Sequence, residues 1–178
     1  VRLGHALPLR RDHDDYPALY VGNYILGGNF SARLMSTVRD ERGLTYGIRS
    51  SLSGVTTRYA GSWQTSVTLS HDTLDAGIAA TREVIRTFVE EGVTAEEVED
   101  KKTTITGSYT VGLATTQRLA QSILTNAERG FDVSYLDRFP DEIEALTPEE
   151  VNAAVRRYFD PDALQEALAG TRPAPVEA

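Results

Sequence analysis

The chain has 178 residues, 40% hydrophobic and 8% aromatic, which is enough for one ordinary core and too few for two comfortable domains. Its 18 Lys and Arg against 26 Asp and Glu leave a net charge of -8 and a pI near 4.9, the wrong sign for a phosphate-neutralising surface, so nucleic acid is not an expected partner. No Cys is present, which removes disulfides, thiolate metal sites and cysteine nucleophiles, and no apolar run approaches the roughly 18 residues of a membrane span.

Val1 to Pro8 reads as a first strand on the alternation of Val1, Leu3 and, less cleanly, His5 and Leu7. A charged turn, Arg10 to Asp15, leads into a buried helix from Tyr16 that stops at Gly27-Gly28. Asn29 or Ser31 caps a second helix, whose Phe30, Leu34 and Val38 share one stripe and which ends at Gly43. Between Thr45 and Ser70 the period changes to two: Tyr46, Ile48 and Leu52, then Trp63, Thr65, Val67 and Leu69, describe a β-hairpin. Its connection, Ser53 to Arg58, is too long for a tight turn and is expected to be mobile.

From Asp72 the helical period returns, carried by Leu74, Ile78, Thr81, Ile85 and Phe88 and stopped by Gly92. Thr94 with Glu97, and Thr147 with Glu150 behind Pro148, are capping boxes that start helices at 95 and 148. Further helices are expected at 116 to 129 and 134 to 145, a last strand at 164 to 170, and a frayed tail over 172–178 behind a single domain of residues 1–171. Strand, two helices, hairpin, helices and strand describe an α+β fold in two layers: a mixed or antiparallel sheet with helices packed on one face. The acidic clusters Glu90-Glu91, Glu96-Glu97 and Glu99-Asp100 flank helix ends and read as solvated surface, which serves solubility and could also steer basic peptides.

Chemistry is sparse. His5, His13 and His71 are the only histidines and none lies within a helical turn of another, so no metal site is expected in this chain. One pair stands out. At 100° per residue, Arg39 lies about 140° from the centre of the Phe30/Leu34/Val38 stripe, pointing away from that core. Tyr46 follows seven residues later, at the start of a strand, so the two can meet at a sheet end. A guanidinium beside a phenol can donate to a carbonyl oxygen or a carboxylate. Residue chemistry alone fits a surface arginine and an ordinary strand tyrosine better; a resemblance tips the reading toward a site.

The run from Leu26-Gly27-Gly28-Asn29-Phe30-Ser31 to Leu34, with Val38-Arg39 through Thr45-Tyr46-Gly47, resembles the C-terminal half of the pitrilysin/insulinase-type zinc peptidases, near their bacterial processing-peptidase-like members. The similarity continues through the hairpin with Trp63, the helix start at Thr94, and Thr147-Pro148-Glu149-Glu150 followed by Tyr158 to Pro161. It implies a processing-peptidase-like fold, one of two homologous halves closing like a clamshell. The other half bears zinc on a His-x-x-Glu-His motif, and this half brings an Arg-Tyr pair to the substrate. By that resemblance Arg39 anchors a peptide and Tyr46 is catalytic, polarising the scissile carbonyl, with Arg42 as the confusable neighbour. The chain has no His-x-x-Glu-His. It is therefore expected to hold no cofactor of its own, to find zinc in the partner half and to be inactive alone. The alternative is a non-catalytic structural or peptide-binding relative of the same fold. Val1 in place of Met reads as a cut between halves, and the compartment stays open between bacterial cytoplasm and periplasm.

Overall fold

The computed structural model describes residues 1–170; the expected tail at 172–178 lies outside the described residues. Four strands, β1 (Arg2–Leu7), β2 (Gly47–Ser53), β3 (Gly61–Thr68) and β4 (Gln165–Ala167), form one sheet in the order β2-β3-β1-β4. Every neighbouring pair is antiparallel, which settles the mixed-or-antiparallel expectation. The helices are α1 (Tyr16–Asn23), α2 (Met35–Glu41), α3 (Leu74–Glu91), α4 (Ala95–Gly112), α5 (Thr116–Arg129), α6 (Tyr135–Glu144) and α7 (Pro148–Tyr158). None is long and apolar enough to cross a membrane.

Strand alternation decides which side of the sheet the helices cover. Leu3 and Leu7 of β1, Ile48 and Ser50 of β2, and Trp63, Thr65 and Val67 of β3 are buried on one face. The intervening residues stay on the other. Trp63 is the centre of the covered face: its ring stacks on Phe159 at 4.1 Å, and His5 meets it edge-on at 5.3 Å. His5 Nε2 also accepts the Asp160 N–H at 3.2 Å, which is why this strand histidine is half-buried without being a ligand.

Both capping boxes form as their sequences require, each threonine hydroxyl accepting the N–H of the glutamate three residues on while that glutamate takes the threonine N–H. The stripe of α3 is buried as spaced, although the helix begins at Leu74, two residues later than expected.

Three expectations need correction. Phe30 is 80% exposed, because Asn29 spends its side chain on a turn: Oδ1 accepts the Ser31 N–H at 2.9 Å and Nδ2 donates to Tyr24 O at 2.8 Å. Helix α2 therefore starts after that turn, keeping Leu34 and Val38 inside but not Phe30. The β2–β3 connection is tethered, with Thr57 N–H on Arg129 O and Arg11 N–H on Thr56 O, both at 3.0 Å. Glu97 is not simply solvated surface: it caps α4 and also takes a two-pronged ion pair from Arg33, 2.7 Å to each oxygen.

Candidate functional site

The end of the sheet where β2 begins is built from three local devices. The first closes α1. It runs on as a wide π-helical turn through Tyr24–Gly28, and Gly27 lies flat on β2. A Cβ at 27 would come within 2.7 Å of Ser50 N and 2.9 Å of Leu34 Cδ1, so the Gly-Gly stop is also a packing requirement.

The second device reverses the chain after α2. Gly43 N–H bonds to Arg39 O and Leu44 N–H to Val38 O, both at 3.0 Å, with Gly43 at φ +63°, a left-handed conformation suited to glycine. The third fixes the following residues: Thr45 Oγ1 donates to Thr68 O across the hairpin and accepts the Gly47 N–H at 3.1 Å. Tyr46 is thereby held at the sheet end, pointing out.

The result brings Arg39 and Tyr46 together, the Arg39 Cζ standing 5.9 Å from the centre of the Tyr46 ring, within cation–π range. Tyr46 is 90% exposed although it shares strand parity with buried Ile48, because the helical layer stops short of it. Arg39 Nη1 also contacts its neighbour Asp40 at 3.2 Å. Arg42 goes elsewhere: it forks onto Glu83 of α3 at 2.7 and 3.0 Å and takes no part in the pair.

Arg39 and Tyr46 open on a cleft of about 950 Å³ whose walls are Gly27 to Phe30, Met35, the start of β2, the end of β3 and the residues after β4. Its floor rests on a buried relay. Trp63 Nε1 donates to Ser50 Oγ at 2.8 Å, and that hydroxyl donates to Asn23 Oδ1 in turn. Asn23 Nδ2 returns to Ser50 O at 3.4 Å.

The sequence reading missed Ser50 and Asn23, and it missed two further cleft residues, Arg2 and Arg49. Strand parity carried a signal for Arg49, which alternates with inward Ile48 and Ser50. Nothing local revealed that β1 would lie beside β3 and bring Arg2 to the same face.

The three histidines stay apart on β1, before α1 and before α3, and among the described residues no three His, Asp or Glu side chains are gathered to hold a metal ion.

An antiparallel four-stranded sheet with helices on one face, ending in this cleft, has well-defined relatives. Residues 3–105 match the family described as the peptidase M16 inactive domain, and the chain belongs to that family. It is 24% identical over 151 residues to the non-peptidase homolog YmxG of Helicobacter pylori, covering 84% of this chain and 34% of that protein. It is 28% identical over 155 residues to the uncharacterized zinc protease YmxG of Bacillus subtilis, covering 84% and 36%. The chain thus spans about a third of the length of these relatives. Among solved structures, a peptidase M16 inactive domain from Pseudomonas fluorescens superposes with a TM-score of 0.79 at 28% identity, covering 92% of this chain and 38% of that one.

Proposed function

We propose that this chain is the substrate-binding, non-metal half of a zinc metallopeptidase, and that Arg39 and Tyr46 engage a peptide beside its scissile bond. The observation that carries the reading is the pair itself, a guanidinium and an exposed phenol 5.9 Å apart on the wall of an open cleft. Membership of the M16 inactive-domain family and the zinc-protease names of several relatives support it.

The described residues of this chain gather no ligand set for zinc. In this reading the metal sits on a homologous half bearing His-x-x-Glu-His, where it supplies an activated water. This chain's share is donation. The Tyr46 hydroxyl donates to the scissile carbonyl oxygen as negative charge grows on it, while Arg39 holds a neighbouring carbonyl or carboxylate of the same peptide. Loss of one such donor costs about 3 to 4 kcal/mol, so Tyr46→Phe in the assembled enzyme lowers turnover roughly 100- to 1000-fold with substrate binding nearly unchanged. Peptide cleavage at wild-type rate by that variant overturns the assignment.

The second reading, a peptide-binding or structural relative without proteolysis, is favoured by one observation: the Helicobacter pylori relative is named a non-peptidase homolog. It predicts peptide binding in the same cleft with no cleavage by the complete protein.

A further inference from the structure

The cleft has the opposite sign to the chain. Net charge is -8, yet among the described residues that line the cleft the charged side chains are Arg2, Arg39 and Arg49. Register places two of them with care. Arg2 of β1 and Arg49 of β2 both stand opposite Ser66 of β3, so Arg2, Ser66 and Arg49 form one row across the sheet. Residues paired in this way share a face, here the one the helices leave uncovered.

Neighbouring strands are about 4.8 Å apart, so the two arginine Cα atoms lie on the order of 10 Å from each other, a gap that two flexible guanidinium arms can close on a single carboxylate. The next rows hold Gly4, Gln64 and Ser51, then Ala6, Ser62 and Ser53; no acid stands on this face of β1, β2 or β3. Glu166 of β4 pairs with Leu3 and turns to the covered side, where Arg82 of α3 meets it at 3.2 Å. Among the described residues Arg2 has only a 3.4 Å contact with Gln64 Oε1, and Arg49 has no ion pair or side-chain hydrogen bond. These two cations are therefore unspent, next to a site for which Asp40 alone neutralises Arg39.

We infer that Arg2 and Arg49 select acidic peptides: an extended segment crossing the open sheet face places a Glu or Asp side chain over Ser66, between the two guanidiniums, while its main chain reaches Arg39 and Tyr46. This rests on the reading that a peptide occupies the cleft, and it reverses the substrate preference that the net charge alone suggests. The side chain, and not the peptide's terminal carboxylate, is the group held, because the row runs from edge strand β2 over β3 to β1 on an uncovered face where a chain can enter and leave.

The test is fluorescence anisotropy on the complete protein with three twelve-residue labelled peptides of otherwise neutral sequence. One carries a central Glu and an amidated end, the second a central Gln and an amidated end, and the third a central Gln and a free carboxyl end. The Glu peptide binds at least about tenfold tighter than its amidated Gln twin, the preference shrinks between low and high salt, and Arg2→Gln with Arg49→Gln abolishes it. Both arginines are exposed, so the double variant folds, and circular dichroism verifies this. Arg58→Gln, an exposed arginine on the β2–β3 connection, makes the same charge change and leaves the preference intact.

Equal binding of the two amidated peptides overturns the acidic selection while leaving peptide binding itself standing. A preference for the free-acid Gln peptide over the Glu peptide overturns it in favour of the terminus. Absence of binding by all three, together with cleavage at the wild-type rate by Tyr46→Phe, removes both this inference and the reading beneath it.

Discussion

Ser50→Ala is the sharpest test of how the cleft floor is held. The Ser50 hydroxyl is the sole acceptor for Trp63 Nε1, at 2.8 Å, in a side chain with 0% exposure, and it donates to Asn23 Oδ1, which is also buried. Removing it strands one donor and one acceptor where water has no access. Each stranded group costs about 1–3 kcal/mol, and Asn23 keeps its separate bond to Ser50 O, so the sum is about 3 kcal/mol. For a domain of this size that lowers Tm by roughly 6–12 °C, at about 2–4 °C per kcal/mol. Urea denaturation at pH 7 measures the loss directly, and the double variant with Asn23→Ala should lose clearly less than the two single losses added. A loss below about 1 kcal/mol, or strict additivity with Asn23→Ala, refutes the relay as a cooperative support.

The Glu97 carboxyl feels burial pushing its pKa up, but the hydrogen bonds from Arg33 and Thr94 and the Arg33 charge outweigh that and hold it below the ordinary value of 4.5. Its folded pKa being the lower one, the wild type's advantage over Glu97→Gln is complete above pH 4.5 and fades as the pH falls through the folded pKa; urea midpoints at pH 7, 5 and 3 follow it. Tyr135 is pushed up to about 12, chiefly by burial, so its stabilising effect is complete below the ordinary tyrosine value of 10.0 and is lost as pH rises through 12. Ultraviolet titration should show it ionising well above 10.0 or only on unfolding. Arg39→Gln should weaken peptide cleavage or binding at least about tenfold, whereas Arg42→Gln, which breaks only an exposed pair with Glu83, should change it less than about twofold; equal effects in one assay would reject the assignment of Arg39 over its neighbour.

Elements governed by local chemistry were legible in the sequence. The capping boxes at Thr94 and Thr147, the stripe of α3 and the two-residue period around Trp63 each need only near neighbours, and the strand-to-helix grouping gave the α+β class. The Arg39–Tyr46 contact was legible too, because helix phase turned Arg39 outward and the Gly43 reversal limited how far Tyr46 could travel. Phe30 was not, since its place on the stripe presumed that the helix began before it, and a turn held by Asn29 competed for those residues and won. Arg2, Ser66 and Arg49 illustrate a different limit. Parity alone puts each on the outer face of its own strand, but their meeting depends on the order β2-β3-β1, which links residue 2 to residue 66 and residue 66 to residue 49.

That strand order also explains how an acidic chain presents a basic cleft. Asp40 on Arg39 apart, carboxylates that tie distant parts of the fold together lie on the helical side, among them Glu97 on Arg33, Glu83 on Arg42, Glu166 on Arg82 and Asp162 on Arg86. A helical layer is about 10 Å thick, while the Debye length is about 8 Å at physiological ionic strength. Charge on the far side of the molecule is therefore largely screened from a peptide lying on the open face, and the guanidiniums within contact range decide what it binds. At low ionic strength, where the screening length exceeds that thickness, the net charge repels an acidic peptide before docking. Added salt consequently has two opposed effects on such a peptide, faster encounter through weaker repulsion and faster release through weaker ion pairs. The first acts on the association rate and the second on the dissociation rate, so the two can be separated kinetically, and the second depends on Arg2 and Arg49.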